Sequence, residues 1–539
     1  MSLITDTLPD NLEELKTIIL AKDEIILDKD ERITALDEHI TILEEKIRVL
    51  KKALFGSKSE KRHVDDEGSK QLHLFNEAEM LAEPEAPTKV VVPEHSRNKA
   101  KRKPLPADLP RIEVIEDIDE SEKVCACGAE RVRIGEETCE KLDIVPPKIQ
   151  VVRIIRPKYA CKNCEGVESE GSTVKIAPPP AQIIPKGIAT PGLVAYIAVS
   201  KYADALPLYR QEKIFSRYGI EIARSTMAEW MVKAGEGCNP LMDFLYKELL
   251  VGPLINVDET PTLVLNEPGR ANTTKSYMWV FRGGYPGKPV ILFKYSETRS
   301  GQIPREVLAG YRGYCQTDGF SGYDALEAAN PGIRLVGCFF HARRNFVKVI
   351  DARGKAAKNK PGSAEVALDY IGQIYKIEKM ARERGLSAEE IVAFRKERAI
   401  PVLEKFKAWM DKRIEQTPPK GLLGQALNYA ITRWDKLIRY TENGYITPDN
   451  NMVENDIRPY AIGRRNWLFA AHPNGAHASA TLYSLIMTAR ACGLDPYQCL
   501  RFLFSKIRYA RTEADYRALM PQNLTPEVLS RFMSHVFYI

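Results

Sequence analysis

The feature that most constrains this chain is a change of hydrophobic period near residue 251. Five runs rich in β-branched and aromatic residues follow one another: LLVGPLINVDE, KSYMWVFRGG, KPVILFKYSE, GYRGYCQTDG and IRLVGCFFH. Such runs, separated by turn residues, predict strands, and YDALEAANPG between the last two predicts a helix. On both sides the apolar spacing is helical, over 191–247 before the strands and over 363–443 after them. Asn443-Gly444 reads as the C-cap that ends the helical stretch over 363–443, a further helix is expected near 449–458, and an apolar one over 480–493. A single sheet interrupted by an inserted block of helices is the simplest fold for that order.

The order strand, strand, strand, strand, helix, strand, then inserted helices, then one more helix is that of a ribonuclease-H-like core with an interruption. In such a core the first strand lies beside the fourth. Asp258 ends the run LINVDETP, Asp318 ends the run GYCQTDG, and Glu454 opens DNNMVENDIRP. Two carboxylates at neighbouring strand ends and a third on a late helix are the parts of a two-metal phosphoryl-transfer site. Carboxylate oxygens are hard ligands suited to Mg²⁺ or Mn²⁺, and a pair of such ions activates an attacking oxygen and stabilises a leaving one. Each acid also has an ordinary reading. Asp258 and Glu259 precede Thr260-Pro261 in what reads as a turn. Asp318-Gly319 is a favoured hairpin dipeptide. Glu454, three residues after Asn451, fits a capping box. Glu259 is the rival of Asp258 and Asp456 that of Glu454, although Asp456 would face away from Glu454 on a helix. Arg458, four residues on, shares the Glu454 face and can reach a phosphate.

Ahead of the strands the chain divides further. Residues 12–54 form a heptad ladder (Leu12, Leu15, Ile19, Ile26, Ile33, Leu36, Ile40, Leu43, Ile47, Leu50, Leu54), with Lys22 and Lys29 in core-type slots. This predicts a coiled coil that pairs copies of the chain, or else a long amphipathic helix docked on its own protein. Residues 56–117 are polar and proline-rich and read as a linker, with QLHLFNEAEM as a short docking segment. Cys125 and Cys127 in KVCACGAE, and Cys161 and Cys164 in KYACKNCEG, read as a four-thiolate structural zinc site in a module over 118–170. Cys139 remains a possible fourth ligand because one residue, not two, separates the first pair. DIVPPKIQVVRIIRPKY between the pairs reads as a β-hairpin. IAPPPAQIIPKGIAT is a stiff connector. YGIEIARSTMAEWM has the cadence of a helix-turn-helix, with Gly219 at the turn and Ser225 as N-cap, and reads equally as a plain core segment.

Composition excludes little. Hydrophobic residues make up 44% and charged residues 28% of 539, ordinary values for a globular protein, and the net charge is only +6. The basic residues are clustered, however. RNKAKRK carries five, and HARRNFVKVIDARGKAAKNK, with Arg343 and Arg344, carries seven against one Asp. Such clusters neutralise phosphates or sit as solvated charge. No apolar stretch is long enough to span a bilayer, and the acidic start is not that of a signal peptide. Single cysteines inside apolar runs fit a reducing cytosol.

Several of these segments resemble one family, the large transposases of insertion sequence 66. They are LFGSKSEKR, LHLFNEAE, PLPADLPR, CACG with CKNC, SKYADALPLYRQEKIFSRYGIEIARSTM, VDETP, QTDGFSGY, HARRNF, DNNMVENDIRPYAIGRRNWLF and SLIMTARACGLDPYQCL. The resemblance implies an Asp-Asp-Glu enzyme with the triad on Asp258, Asp318 and Glu454. It also implies a helical insertion before Glu454, within a multidomain α+β chain. It implies Mg²⁺ (or Mn²⁺) for catalysis and structural Zn²⁺. The implied partner is double-stranded DNA, both element ends and target, met in part by Arg343, Arg344, Arg458, Arg464 and Arg465. Small accessory proteins and a place on the bacterial nucleoid are implied as well. The alternative is a non-catalytic DNA-binding relative. HPNGAHASA departs from the family, which usually has two glycines there.

Overall fold

The computed structural model describes residues 11–55, 149–160, 174–352 and 362–537. The expected linker and Cys125, Cys127, Cys139, Cys161 and Cys164 lie outside them. The chain forms two compact units, residues 59–179 and the remainder.

Helix α1 (Leu12–Phe55) is continuous over the heptad ladder. Its ladder residues Ile19, Ile26, Ile33, Leu36, Ile40, Leu43, Ile47 and Leu50 are 44–59% exposed. It also touches its own protein: the Glu45 carboxylate accepts from the backbone N–H of Leu422 at 3.1 Å, and the helix contacts the one spanning Phe339–Ala352. In the smaller unit, β1 (Lys158–Ala160) pairs antiparallel with β2 (Val174–Ile176). This corrects the expected hairpin between the two cysteine pairs. Residues 149–157 form no strand and stay exposed. The strands instead bracket the second pair, and Arg156 donates to the Ala177 carbonyl at 3.0 Å.

Helices α2 (Pro191–Tyr202), α3 (Leu208–Arg217) and α4 (Arg224–Leu249) follow. Gly219 takes the left-handed turn (φ 75°) between α3 and α4, as its sequence setting suggests. Ser225 is not the N-cap; Ala223 is, and the Glu212 carboxylate on α3 accepts from the Arg224 N–H at 3.0 Å. Along α4, Met227, Trp230, Met231, Ala234, Cys238, Leu241, Leu245 and Leu249 are buried in one core with the sheet. One face of α4 is thus core, while Arg224, Ser225, Ala228 and Glu229 at its start are exposed, an arrangement compatible with either reading of the segment.

The sheet has five strands: β3 (Leu254–Leu263), β4 (Lys275–Gly283), β5 (Val290–Ser296), β6 (Gly313–Gln316) and β7 (Ile333–Val336). Their spatial order is β5-β4-β3-β6-β7, antiparallel on the β5 side and parallel on the β7 side. The parallel connections carry the short helices α5 (Gln302–Val307) and α6 (Asp324–Ala329). From β7 the chain enters α7 (Phe339–Ala352), then the inserted helices α8 (Ser363–Glu383), α9 (Ala388–Arg398), α10 (Ile400–Ile414), α11 (Leu422–Thr432) and α12 (Trp434–Ile438). These pack a second core with α7, built on Phe339, Phe346, Phe406 and Trp434. Asn443-Gly444 does not form a left-handed cap; Asn443 is extended, and Gly444 lies against the Ala388 backbone.

Helix α13 (Asn451–Trp467) then crosses β3 and β4 and runs through Pro459, well past the expected end at 458. Helix α14 (Pro473–Ala491) follows, with His472 as its N-cap. It covers the edge strand β5: Ser484 Oγ accepts from the Phe293 N–H at 2.8 Å and Thr488 Oγ1 from the Ile291 N–H at 3.0 Å. Residues i and i+4 on a helix span about 6 Å, close to i and i+2 on a strand, so the two hydroxyls match two free edge amides. An open edge is thereby closed. Helices α15 (Pro496–Lys506), α16 (Glu513–Leu519) and α17 (Pro526–Phe537) complete the chain. Among the described residues no helix is long and apolar enough to cross a membrane.

Candidate active site

The parallel register puts two acids side by side. Asn256 on β3 pairs with Gln316, the last residue of β6. Asp258 and Asp318 each lie two residues beyond that pair, and residues two apart share a strand's face. Asp258 is not at the end of its strand, as the sequence suggested. Strand β3 continues to Leu263 because β4 still pairs with it, from Asn256↔Arg282 to Leu263↔Lys275, after β6 has stopped. Nor is Asp318-Gly319 a hairpin. Asp318 Oδ1 accepts from the Phe320 N–H at 2.8 Å, turning the chain toward α6. A side chain at Gly319 would meet Tyr429 and Arg433 at 2.5–2.8 Å, so the insertion presses on the loop that carries Asp318.

Glu454 arrives from α13. The N-cap is Asn450, with no side-chain cap bond, so the capping-box explanation of Glu454 does not apply. Its Oε1 is buried and has no hydrogen-bond partner. Asp258 accepts only the Glu259 N–H, at 2.9 Å, and no cation pairs with it among the described residues. Burial, then the charges of Glu259, Glu454 and Asp318, push the Asp258 carboxyl well above the usual range. Burial is also the largest cause of the upward shift at Glu454, offset by Arg344 and Arg458 and reinforced by Asp449 and Asp318. Asp258 thus feels the charges of both Glu454 and Asp318, and the protein offsets that negative charge only in part, through Arg299 at Asp318 and Arg344 and Arg458 near Glu454.

The rivals have other partners. Glu259 accepts from Tyr323 Oη at 2.5 Å and from Arg299 Nε at 2.6 Å. Arg299 in turn stacks on Phe320, 3.9 Å from the ring centre, with Nη2 4.0 Å from Asp318 Oδ2. Asp456 is buried against Arg282 at 2.7 Å, on the opposite side of α13.

Sequence reasoning missed the network beneath the acids. Asn256 Nδ2 donates to Gln316 Oε1 and to Asn450 Oδ1, both at 2.8 Å. Asn450 Nδ2 donates to the Val257 carbonyl at 3.0 Å, and Gln316 Nε2 to the Thr447 carbonyl at 2.8 Å. The three amides are at most 2% exposed and tie β3, β6 and the start of α13 together directly behind the triad. Buried, fully paired amides of this kind fix geometry. Their sequence signal is a lone polar residue inside an apolar run, two positions before each Asp.

The basic residues divide. Arg344 is exposed and Arg343 half-buried in the first turns of α7. Arg458 is half-buried, and its charge reaches Glu454 as the shared helix face requires. Arg465 is exposed, whereas Arg464 donates to the Pro261 carbonyl and is partly buried. His341, beside Arg343, was read only as part of a basic run. It lies against Glu454, with Nδ1 3.9 Å from Glu454 Oε1. Burial, with the Arg344 charge, lowers its pKa to about 4.

The donor set fits divalent cations: Asp258 and Glu454 have carboxyls raised chiefly by burial, Asp318 lies within electrostatic reach of both, and Glu454 has an orphaned buried oxygen. Cations placed there would relieve the repulsion that Arg299, Arg344 and Arg458 offset only in part.

Comparison with known proteins agrees with this architecture. The family description "Transposase IS66 family" matches residues 186–478, and "zinc-finger binding domain of transposase IS66" matches 122–165. "Transposase C of IS166 homeodomain" matches 42–114, across the end of α1 and the stretch read as a linker. "IS66 C-terminal element" matches 484–522. Among curated relatives, the uncharacterized protein y4qI of Sinorhizobium fredii is 35% identical over 448 residues, covering 80% of each chain. The uncharacterized protein y4jD of the same organism is 35% identical over 433 residues, covering 78% of this chain and 81% of the relative.

Proposed function

This chain belongs to the IS66 transposase family, and we propose that it cleaves the ends of an insertion sequence and joins the exposed 3′-OH ends to target DNA. The core is read as ribonuclease-H-like, on the strand order β5-β4-β3-β6-β7 and the insertion before α13. The observations that support the reading are the register that sets Asp258 and Asp318 two residues beyond the Asn256–Gln316 pair, and the buried, unpartnered Glu454 oxygen within electrostatic reach of them. Asp258, Asp318 and Glu454 would hold two Mg²⁺ or Mn²⁺ ions, which supply activation of the attacking oxygen and charge stabilisation at the leaving one. The chain's own part is placement. The Asn256–Gln316–Asn450 network fixes the spacing of the acids, and Arg299 and Tyr323 occupy the Glu259 carboxylate, which adds its charge to Asp258. Arg458 and Arg344 offer positive charge beside Glu454 to the reacting phosphate. No nucleophilic side chain is required, so no covalent protein–DNA intermediate forms.

The remaining modules are read as DNA handling. Cys125, Cys127, Cys161 and Cys164 would close a structural zinc site within the zinc-finger match. Arg343, Arg344 and Arg465 face phosphates. The exposed ladder of α1 would pair two chains across two element ends. Accessory proteins of the same element would assist, in the cytoplasm on nucleoid DNA. A strand-transfer assay with matched element ends tests the reading. The wild type joins ends, while Asp258→Asn, Asp318→Asn and Glu454→Gln bind ends without cutting them. End binding without cleavage in the wild type itself would favour a non-catalytic DNA-binding relative.

A further inference from the structure

The β7–α7 junction delivers a nitrogen donor to the triad. Strand β7 ends at Val336, and the next residues are clamped to the exit of the insertion. The Gly337 N–H donates to the Lys436 carbonyl and the Phe339 N–H to the Pro448 carbonyl, both at 2.9 Å. Cys338 Sγ accepts from the Asn450 N–H at 3.3 Å, which ties the start of α7 to the cap of α13. His341, in the first turn of α7, therefore has a fixed position relative to Glu454, one turn into α13.

His341 Nδ1 and Glu454 Oε1 are both buried, and neither has a hydrogen-bond partner. They face each other across 3.9 Å, too far for a direct hydrogen bond. Two orphaned polar atoms aimed at one gap are costly unless something occupies it. Ligand–metal bonds of about 2.0–2.2 Å from each side sum to slightly more than this gap. Cys338 Sγ lies within 4.8 Å of both atoms and completes the lining.

We propose that His341 is a direct ligand, through Nδ1, of the divalent cation held at Glu454, and that this ion site therefore prefers Mn²⁺ to Mg²⁺. The inference rests on the reading of Asp258, Asp318 and Glu454 as cation ligands. An imidazole nitrogen suits first-row transition ions, whereas Mg²⁺ demands oxygen and keeps its water. A carboxylate site with one imidazole is thus biased toward Mn²⁺. Cys338 has its sulfur turned to the Asn450 amide and serves as lining.

The test uses the full-length, zinc-loaded protein titrated with Mn²⁺, with bound ion followed by electron paramagnetic resonance and nitrogen coupling by electron spin-echo modulation. The wild type is expected to bind Mn²⁺ with a ¹⁴N imidazole signal. His341→Ala and His341→Gln should lose that signal and bind Mn²⁺ roughly 10-fold or more weakly, with Mg²⁺ affinity changed much less. Thermal melting of both variants checks that they fold. Cys338→Ser should keep signal and affinity. Bound Mn²⁺ without nitrogen coupling in the wild type overturns the assignment, and so does a Cys338→Ser variant that loses the ion. If Asp258→Asn and Asp318→Asn leave Mn²⁺ affinity intact while the nitrogen signal persists, the triad reading fails and the His341–Glu454 site stands. If those two variants lose the ion and the wild type shows no nitrogen signal, the triad stands and His341 is no ligand.

Discussion

The insertion and the sheet each bury charge, and they do so in opposite ways. In the insertion, Arg395 is 1% exposed, and all five of its N–H donors find acceptors. Two go to the Glu378 carboxylate at 2.7–2.8 Å, and the rest to the Tyr440, Asn443 and Ile446 carbonyls at 2.6–2.9 Å. At the sheet and the helix that crosses it, Asp258 is raised by burial and by the charges of Glu259, Glu454 and Asp318, Glu454 is raised chiefly by burial, and no cation pairs with Asp258 among the described residues. A buried charge that the protein has fully paired fixes scaffold, here by joining α8 and α9 to the segment leading into α13. A buried charge left unpaired is a place kept for the charge of something else.

The largest expected effect tests the unpaired side. Asp258→Asn, Asp318→Asn or Glu454→Gln should each lower cleavage and strand transfer by roughly 10²–10³-fold or more, with end binding retained. Gel-shift and cleavage assays on the same preparations separate the two. Cleavage that survives in any one variant removes that acid from the site.

The paired side should respond in stability. Arg395→Ala leaves Glu378 and three carbonyls without their donor and should cost about 3–5 kcal/mol in chemical denaturation. A loss below about 1 kcal/mol would mean that water replaces the arginine, and the contrast with the triad would collapse.

The two clusters should also differ in sign. Without divalent ions, the raised Asp258 and Glu454 carboxyls bind more protons in the folded chain than in the unfolded one. Stability should therefore fall as pH rises from the usual carboxylate range through their raised values. Asp258→Asn should flatten that slope and raise the apo melting temperature at neutral pH, by about 2–4 °C per kcal/mol relieved. Mg²⁺ should stabilise the wild type and have much less effect on the variant. An apo Asp258→Asn protein that melts lower than the wild type would show that the carboxylate serves the fold.

The smallest effect separates two neighbouring arginines. Arg464 is spent on the Pro261 carbonyl, so Arg464→Ala should cost about 1 kcal/mol of stability and leave the salt dependence of DNA binding unchanged. Arg465 is exposed, and Arg465→Ala should reduce the salt slope by about 1 at little cost in stability. Equal salt slopes for the two variants would remove the distinction.

All five strands and the helical insertion were legible in the sequence, because each rests on a local pattern of a few residues, and the same local patterns single out the three acids as candidates. Asp456 was already the weaker rival on helical spacing, and the structure gives it Arg282 as partner. Three features were out of reach. The end of α13 was misplaced because Pro459 usually stops a helix, yet this one continues through it. The Asn256–Gln316–Asn450 network joins residues 60 and 194 apart in the chain, and Ser484 and Thr488 reach strand amides 191 and 197 away. His341 looked like one more member of a basic run, since nothing within its own helix distinguishes it. The sequence by itself determined which segments become strands or helices and which acids end apolar runs, because periodicity and propensity act over a turn or a strand. Only the tertiary structure decided which polar groups are paired and which are left facing one another. That choice is made by long-range packing, where burial removes water and makes each missing partner count.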